Sequence, residues 1–230
     1  MKKLLILIGL SIGVISILGN TARAIEFPDA PKREAPQSTA AGGRRGGCVS
    51  GTIPITPLTP SKDNQIKTVS PQPQFFVYIP PTKAKLAQFI LKDDEGKSLD
   101  TQEIAIEKGD YVLDINVGKN INLETGKKYN WEISLICNPM VINTSNYSKG
   151  SIERVSLDDT VKAELLKDED ILKQAQIYAN NNIWQETISL AASIKNDQPQ
   201  EWQELLTSVG LENLVNKPLN ISSDSQKIKQ

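Results

Sequence analysis

Between positions 129 and 137 the chain reads Y-N-W-E-I-S-L-I-C. Tyr129, Trp131, Ile133, Leu135 and Cys137 fall at every second position, with Asn130, Glu132 and Ser134 between them. Successive side chains of an extended backbone point to opposite faces, so this period of two predicts a strand with one buried face. The pattern ends on one of only two cysteines in the chain. A strand whose apolar face finishes in a half-cystine suits the central position of a β-sandwich core.

The N-terminus has the form of an export signal. Lys2 and Lys3 precede an apolar stretch over residues 4–18, and Ala22-Arg23-Ala24 is a small-x-small cleavage site. Gly9, Ser11, Gly13 and Ser16 interrupt the apolar stretch, which is short against the ~20 residues a membrane span needs. Residues 1–24 are therefore expected to be a signal peptide cleaved after Ala24. No membrane span is expected in the mature chain, and the compartment is periplasm, thylakoid lumen or extracellular space. Cleavage removes Lys2, Lys3 and Arg23 and takes the formal net charge from −1 to −4. A mildly acidic protein is a poor match for nucleic acid. The absence of histidine excludes Ser-His-Asp and Cys-His nucleophile activation and every histidine-containing zinc site. Two cysteines in an exported chain are expected to form one disulfide, Cys48 to Cys137, with two buried free thiols as the alternative.

Residues 25–47 are rich in Pro, Ala, Gly and charge and lack an apolar period, which predicts a flexible arm. Its Gly42-Gly43-Arg44-Arg45-Gly46-Gly47 end lacks the preceding strand and following helix of a phosphate-cradling loop. A β-sandwich domain is expected over residues 48–157. The prolines of 52–60 confine that segment to a sheet edge. Phe75-Phe76-Val77-Tyr78-Ile79 is a strand bounded by prolines, and 86–91 and 99–106 follow around the turn Asp93-Asp94-Glu95-Gly96-Lys97. Tyr111, Leu113, Ile115 and Val117 alternate with Asp114 and Asn116, which predicts a further half-buried strand. Leu123, a glycine-containing turn and Tyr129 resemble the tyrosine corner of immunoglobulin-like sandwiches. Residues 152–157 supply a last strand, and the whole is expected to be an antiparallel sandwich.

Beyond residue 157 the apolar period becomes helical, and residues 158–215 are expected to form about four helices packed on the sandwich. Asp158-Asp159 caps the first, with Val161, Leu165 and Leu166 inward. Ile171, Leu172, Ala175 and Tyr178 line the second, which Asn180-Asn181-Asn182 ends. The third presents Trp184, Ile188 and Ala191, and the fourth, opened by Pro199, presents Trp202, Leu205, Leu206 and Val209 before Gly210. The second and third resemble one tetratricopeptide-type unit, which cannot bury its face alone. Residues 216–230 are read as a disordered polar tail.

Several segments together resemble the cyanobacterial family known as domain of unknown function 928. They are residues 42–48; Pro73, Phe75, Tyr78 and Pro80; Ala87-x-Phe89-x-Leu91-x-Asp93; Tyr129-x-Trp131 through Cys137; and Gly150 with Arg154-Val155-x-Leu157. In the helices they are Tyr178-Ala179, Ile183-Trp184, and Trp202-x-x-Leu205-Leu206-x-Ser208-Val209-Gly210-Leu211. Asn182 stands where that family tends to have glycine, and Phe76 where tryptophan is common. The resemblance implies an exported protein and brings no activity, cofactor or site.

Asp93-Asp94-Glu95 places its glycine fourth, which does not fit an EF-hand loop. Asp158-Asp159 and Asp168-Glu169-Asp170 are explained by helix capping. No catalytic, cofactor or metal residue is assigned. Arg44, Arg45 and Arg154 are the candidates for a surface or anion contact, Arg154 with a structural ion pair as its alternative role. The expected function is a non-catalytic binding or scaffolding module of the cell envelope or extracellular space, whose partner is another envelope or secreted protein. The alternative is a carboxylate-dependent hydrolase acting on glycans.

Overall fold

A computed structural model describes residues 24–28, 48–137 and 146–220. The alternating stretch forms β7 (Lys128–Ile136), with Tyr129, Trp131, Ile133 and Leu135 buried on one face. It is flanked on both sides by antiparallel partners, β4 (Leu86–Lys92) and β8 (Tyr147–Arg154). β5 (Ser98–Ala105) extends the sheet beyond β4, and β2 (Gln65–Thr68) extends it beyond β8. The order β2-β8-β7-β4-β5 therefore puts β7 at the centre of five strands.

A second sheet has the order β1-β3-β6-β9, formed by Thr56–Pro57, Gln74–Ile79, Tyr111–Asn116 and Leu219–Asn220. The proline-rich β1 lies at its edge, where a missing backbone donor leaves no ladder bond broken. Two pairings depart from the antiparallel expectation: β2 runs parallel to β8, and β9 parallel to β6. Both join segments distant in sequence, and no local turn can enforce antiparallel order between such segments. The sheets have mixed strand orientation, and the fold is β-rich α+β.

Phe75 of β3 stacks against Phe89 of β4 and Trp131 of β7, with ring centroids 5.1 and 5.7 Å apart, so the two sheets share one apolar layer. The opposite face of the smaller sheet is covered as well, because Phe76 meets Trp202 at 6.3 Å. Every residue from Phe75 to Ile79 is consequently buried, and Asp114, expected on a polar outer face, is only 2 % exposed. The outer face of the larger sheet keeps the alternation expected of a sheet wetted on one side.

Four helices follow: α1 (Asp159–Lys167), α2 (Ile171–Asn180), α3 (Trp184–Ser193) and α4 (Pro199–Ser208). Trp184, Ile188, Ala191, Trp202, Leu205, Leu206 and Val209 are buried as their spacing predicts. The Trp184 indole N–H also donates to the Leu58 carbonyl at 2.8 Å, tying α3 to the strands. Asn182 adopts φ 58° in the turn between α2 and α3, a left-handed conformation that asparagine tolerates better than most residues.

The inward face expected of α1 is corrected in part: Val161 and Leu165 are half-buried, none of its residues is fully buried and Leu166 is 86 % exposed, α2 being the element it chiefly meets. On α2 the buried residues are Ala175, Ile177 and Ala179, while Ile171 is 40 % exposed. Two segments read as flexible are ordered where they meet the core. Leu219–Asn220 pairs with β6, and Ile25 and Phe27 are buried against the helices. The rest of the arm and residues 221–230 lie outside the described residues.

Cys48 and Cys137 form a disulfide with a Cα–Cα distance of 5.5 Å across a sequence separation of 89. It fastens the segment before β1 to the end of the central strand. The Tyr129 hydroxyl accepts a hydrogen bond from the Glu124 backbone N–H at 2.8 Å, closing the turn that leads into β7.

Candidate functional site

On the wetted face of the larger sheet, cross-strand register builds an open cleft of about 860 Å³. Its floor comes from neighbouring rungs of the ladder: Lys92 lies opposite Asn130, Asn130 opposite Ser151, and Glu132 opposite Lys149. Side chains directly opposite one another stand about 5 Å apart, so these residues form one continuous polar surface. Lys62, Lys92, Lys128 and Lys149 surround it, Asp63 and Glu132 are the acidic residues in its lining, and Tyr147 stands 41 % exposed beside them.

The wall at residues 61–65 is fixed. Asn64, itself at φ 55°, donates through Nδ2 to the Lys149 carbonyl at 2.9 Å and accepts from the Thr59 hydroxyl at 2.7 Å. Its carbonyl accepts from the Ser151 N–H at 3.1 Å. Asp63 accepts from the Ser61 hydroxyl at 2.5 Å and the Gln65 amide at 2.7 Å, and the Ser61 bond holds its carboxyl below the usual range. Behind this wall, Gly150 leaves room for both Asn64 and Trp131. A Cβ there would stand 2.3 Å from the Asn64 carbonyl oxygen and 2.5 Å from Trp131 Cζ2. The cleft is thus pre-shaped by the hydrogen bonds of Asp63 and Asn64.

Two carboxylates are withdrawn from water elsewhere. Asp114 lies opposite Phe76 on the helix-covered face of the smaller sheet. Gln74 Nε2 donates to its Oδ2 at 2.6 Å, while Oδ1 has no partner among the described residues. Burial pushes its pKa up to about 6. Glu186 of α3 accepts through Oε1 from the Thr68 hydroxyl at 2.6 Å and from the Val69 and Ser70 N–H groups at 2.9 Å each. Burial raises its pKa, opposed by those three hydrogen bonds. Glu186 is therefore a clasp between α3 and the end of β2, satisfying the Val69 backbone donor and sharing that of Ser70 with the Thr68 hydroxyl.

Arg154 reaches two main-chain acceptors. Its Nε donates to the Val69 carbonyl at 3.2 Å and Nη1 to the Leu123 carbonyl, so it holds two loop carbonyls where an ion pair was the alternative. Arg44 and Arg45 lie outside the described residues. Asp93 accepts from the Lys97 N–H at 2.8 Å and closes the turn before β5. Asp170 caps α2 through Leu172 N–H, whereas Asp158 precedes α1 without a side-chain cap. No group of three or more potential metal ligands occurs among the described residues, and no helix there is long and apolar enough to cross a membrane.

The lysine cleft escaped the sequence because its residues come from four separate segments. The available signal was the outward half of the alternation: Asn130 and Glu132 were already assigned to the polar face of β7. Lys92, Lys149 and Tyr147 join them only through register.

Among the described residues, a two-sheet, β-rich α+β architecture with four α-helices, one disulfide and a lysine-rimmed cleft on its open sheet face defines the class of the protein. The chain belongs to the family described as Domain of Unknown Function (DUF928), whose model matches residues 40–219. No curated protein matches the chain.

Proposed function

We propose that the protein is an exported, non-catalytic binding module, and that the cleft on its larger sheet receives an extended acidic segment of another envelope or secreted protein. The observation that carries this is the gathering of Lys62, Lys92, Lys128 and Lys149 around one pre-shaped cleft. The chain as a whole is almost charge-balanced, with 26 basic and 27 acidic residues, so the cluster is a local feature and not a consequence of general basicity. Lys92, Lys128 and Lys149, spaced along adjacent strands, offer multiple charge-assisted donors to carboxylates, and electrostatic complementarity of this kind favours specificity and rapid encounter. Export is supported by the Lys2-Lys3 n-region, the apolar stretch, the Ala22-Arg23-Ala24 site and the disulfide.

Within this reading the strands form an immunoglobulin-like sandwich, supported by the Tyr129 to Glu124 contact, with β2 and β9 as parallel additions at its edges. α2 and α3, joined by the turn at Asn181 and Asn182, serve as a tetratricopeptide-like pair that braces the sheets.

Fluorescence anisotropy of a labelled twelve-residue glutamate-rich peptide tests the proposal. Saturable binding is expected at low ionic strength, weakening as the Debye length falls to about 8 Å near 0.15 M salt. Binding no stronger than that of an uncharged peptide of equal length would contradict it.

A further inference from the structure

Residues 24–28 are held among the helices by their own contacts, although residues 29–47 separate them from the rest of the described chain. Ile25 is fully buried and Phe27 is 5 % exposed, its ring meeting Trp184 edge-on at a centroid distance of 5.0 Å. Three side chains serve the backbone. The Ile25 N–H donates to Glu201 Oε2 at 3.0 Å, and the Phe27 N–H to Ser208 Oγ at 3.2 Å. Gln176 spans Glu26, accepting from its N–H at 3.4 Å and donating to its carbonyl at 3.3 Å. A glutamate carboxylate, the strongest of these acceptors, therefore lies on the nitrogen of residue 25.

That nitrogen follows a small-x-small site, Ala22-Arg23-Ala24. Resting on the export proposed above and on cleavage of the Ala24–Ile25 bond, we infer that the new α-ammonium of Ile25 docks on Glu201 as an ion pair that locks the segment into the helical core. In the hydrolysis, water adds across the bond. Ala24 leaves as the carboxylate of the released peptide and Ile25 keeps the amine, protonated near neutral pH. The agent is a peptidase that recognises small residues at the first and third positions before its cut. The seat needs no rearrangement to receive the new terminus, since the nitrogen of residue 25 lies in it at hydrogen-bond distance from the carboxylate. What changes is its charge, which converts a neutral-donor contact into a charge-assisted one. Cleavage precedes docking, because Ile25 is buried and its N–H engaged once the segment is seated.

The test has two parts. The full chain is produced in an exporting bacterial host and its intact mass measured, with a mature protein that begins at Ile25 expected. Mature proteins beginning at Ile25 and at Ala24 are then compared, each with Glu201 and with Glu201→Gln. Moving the charge one residue away is expected to lower the folding equilibrium constant about tenfold when Glu201 is present and no more than twofold with Glu201→Gln. Should Glu201→Gln fail to fold, acylation of the α-amine reads the same pairing in the Ile25-initiated protein. It is expected to run at least tenfold slower in the native than in the unfolded chain. A mature mass that starts elsewhere, equal effects in both backgrounds, or equal acylation rates would each overturn the inference.

Discussion

Asp114 gives the sharpest energetic prediction. It is 2 % exposed, with one carboxyl oxygen unpartnered among the described residues and its pKa pushed by burial from 3.8 to about 6. A pKa raised in the folded state means that folding favours the protonated form. The associated stability is fully present below the unfolded pKa near 3.8 and is lost as pH rises through about 6. At about 1.4 kcal/mol per pH unit, the shift corresponds to about 3 kcal/mol, as an upper guide. Asp114→Asn keeps the size and an oxygen acceptor for Gln74 and removes the charge. The variant and the wild type should therefore differ little from their pH 3.5 offset until pH passes 4. Above pH 7 the variant should gain up to about 3 kcal/mol relative to that offset. Urea unfolding followed by circular dichroism at pH 3.5, 5, 6 and 7.5 measures the difference, and other titrating groups cancel between the two proteins. A separation that stays constant across the series would refute the burial argument for Asp114.

Other perturbations test the scaffold. Replacing Cys48 and Cys137 together with serine is expected to cost up to about 4.6 kcal/mol, from the loop-closure entropy of a bridge spanning 89 positions, read as a fall in the urea midpoint. Gly150→Ala forces its Cβ to within 2.3 Å of the Asn64 carbonyl and 2.5 Å of Trp131. It should lose about 1–3 kcal/mol in thermal unfolding and shift Trp131 fluorescence; unchanged stability would show that the wall is not fixed as described. Asn182→Val places a β-branched residue at φ 58° and should cost about 1–2 kcal/mol in the same assay, whereas a variant of wild-type stability would argue against a left-handed turn there.

The legible parts of the fold were those in which local period and burial coincide. The alternation of 129–137 predicted the buried face of β7, and the spacing of Trp184, Ile188 and Ala191 and of Trp202, Leu205 and Leu206 predicted the inward faces of α3 and α4. The disulfide was legible because the chain has two cysteines and its N-terminal residues have the pattern expected of an export signal. Layering was not legible. Asp114 alternates as an outward residue does, and the helices α3 and α4 that cover its sheet begin seventy or more positions later. α1 carries a helical apolar stripe, yet none of its residues is buried, because a stripe shows which face seeks cover and not how much cover arrives. β2 and β9 are four and two residues long, too short for a period, and both owe their place to parallel pairing with distant strands. The cleft was hidden for the same reason, since Lys62, Lys92, Lys128 and Lys149 share no local motif. Arg154, conspicuous as a strand arginine, donates its hydrogen bonds to two loop carbonyls.

Reversing the charge of the lysine-rimmed cleft tests whether it is the binding surface. Affinity for the glutamate-rich peptide is measured at low salt for wild type, for Lys92→Glu/Lys128→Glu/Lys149→Glu, and for Lys162→Glu/Lys173→Glu on the helices, with thermal unfolding confirming each fold. Exposed charge pairs contribute about 0.2–1 kcal/mol each, so three reversals should weaken binding about tenfold or more. The helix variant should bind within about twofold of wild type, since its changes lie outside the cleft lining. Equal affinity for the cleft variant and wild type, or an equal loss in both variants, would contradict the account.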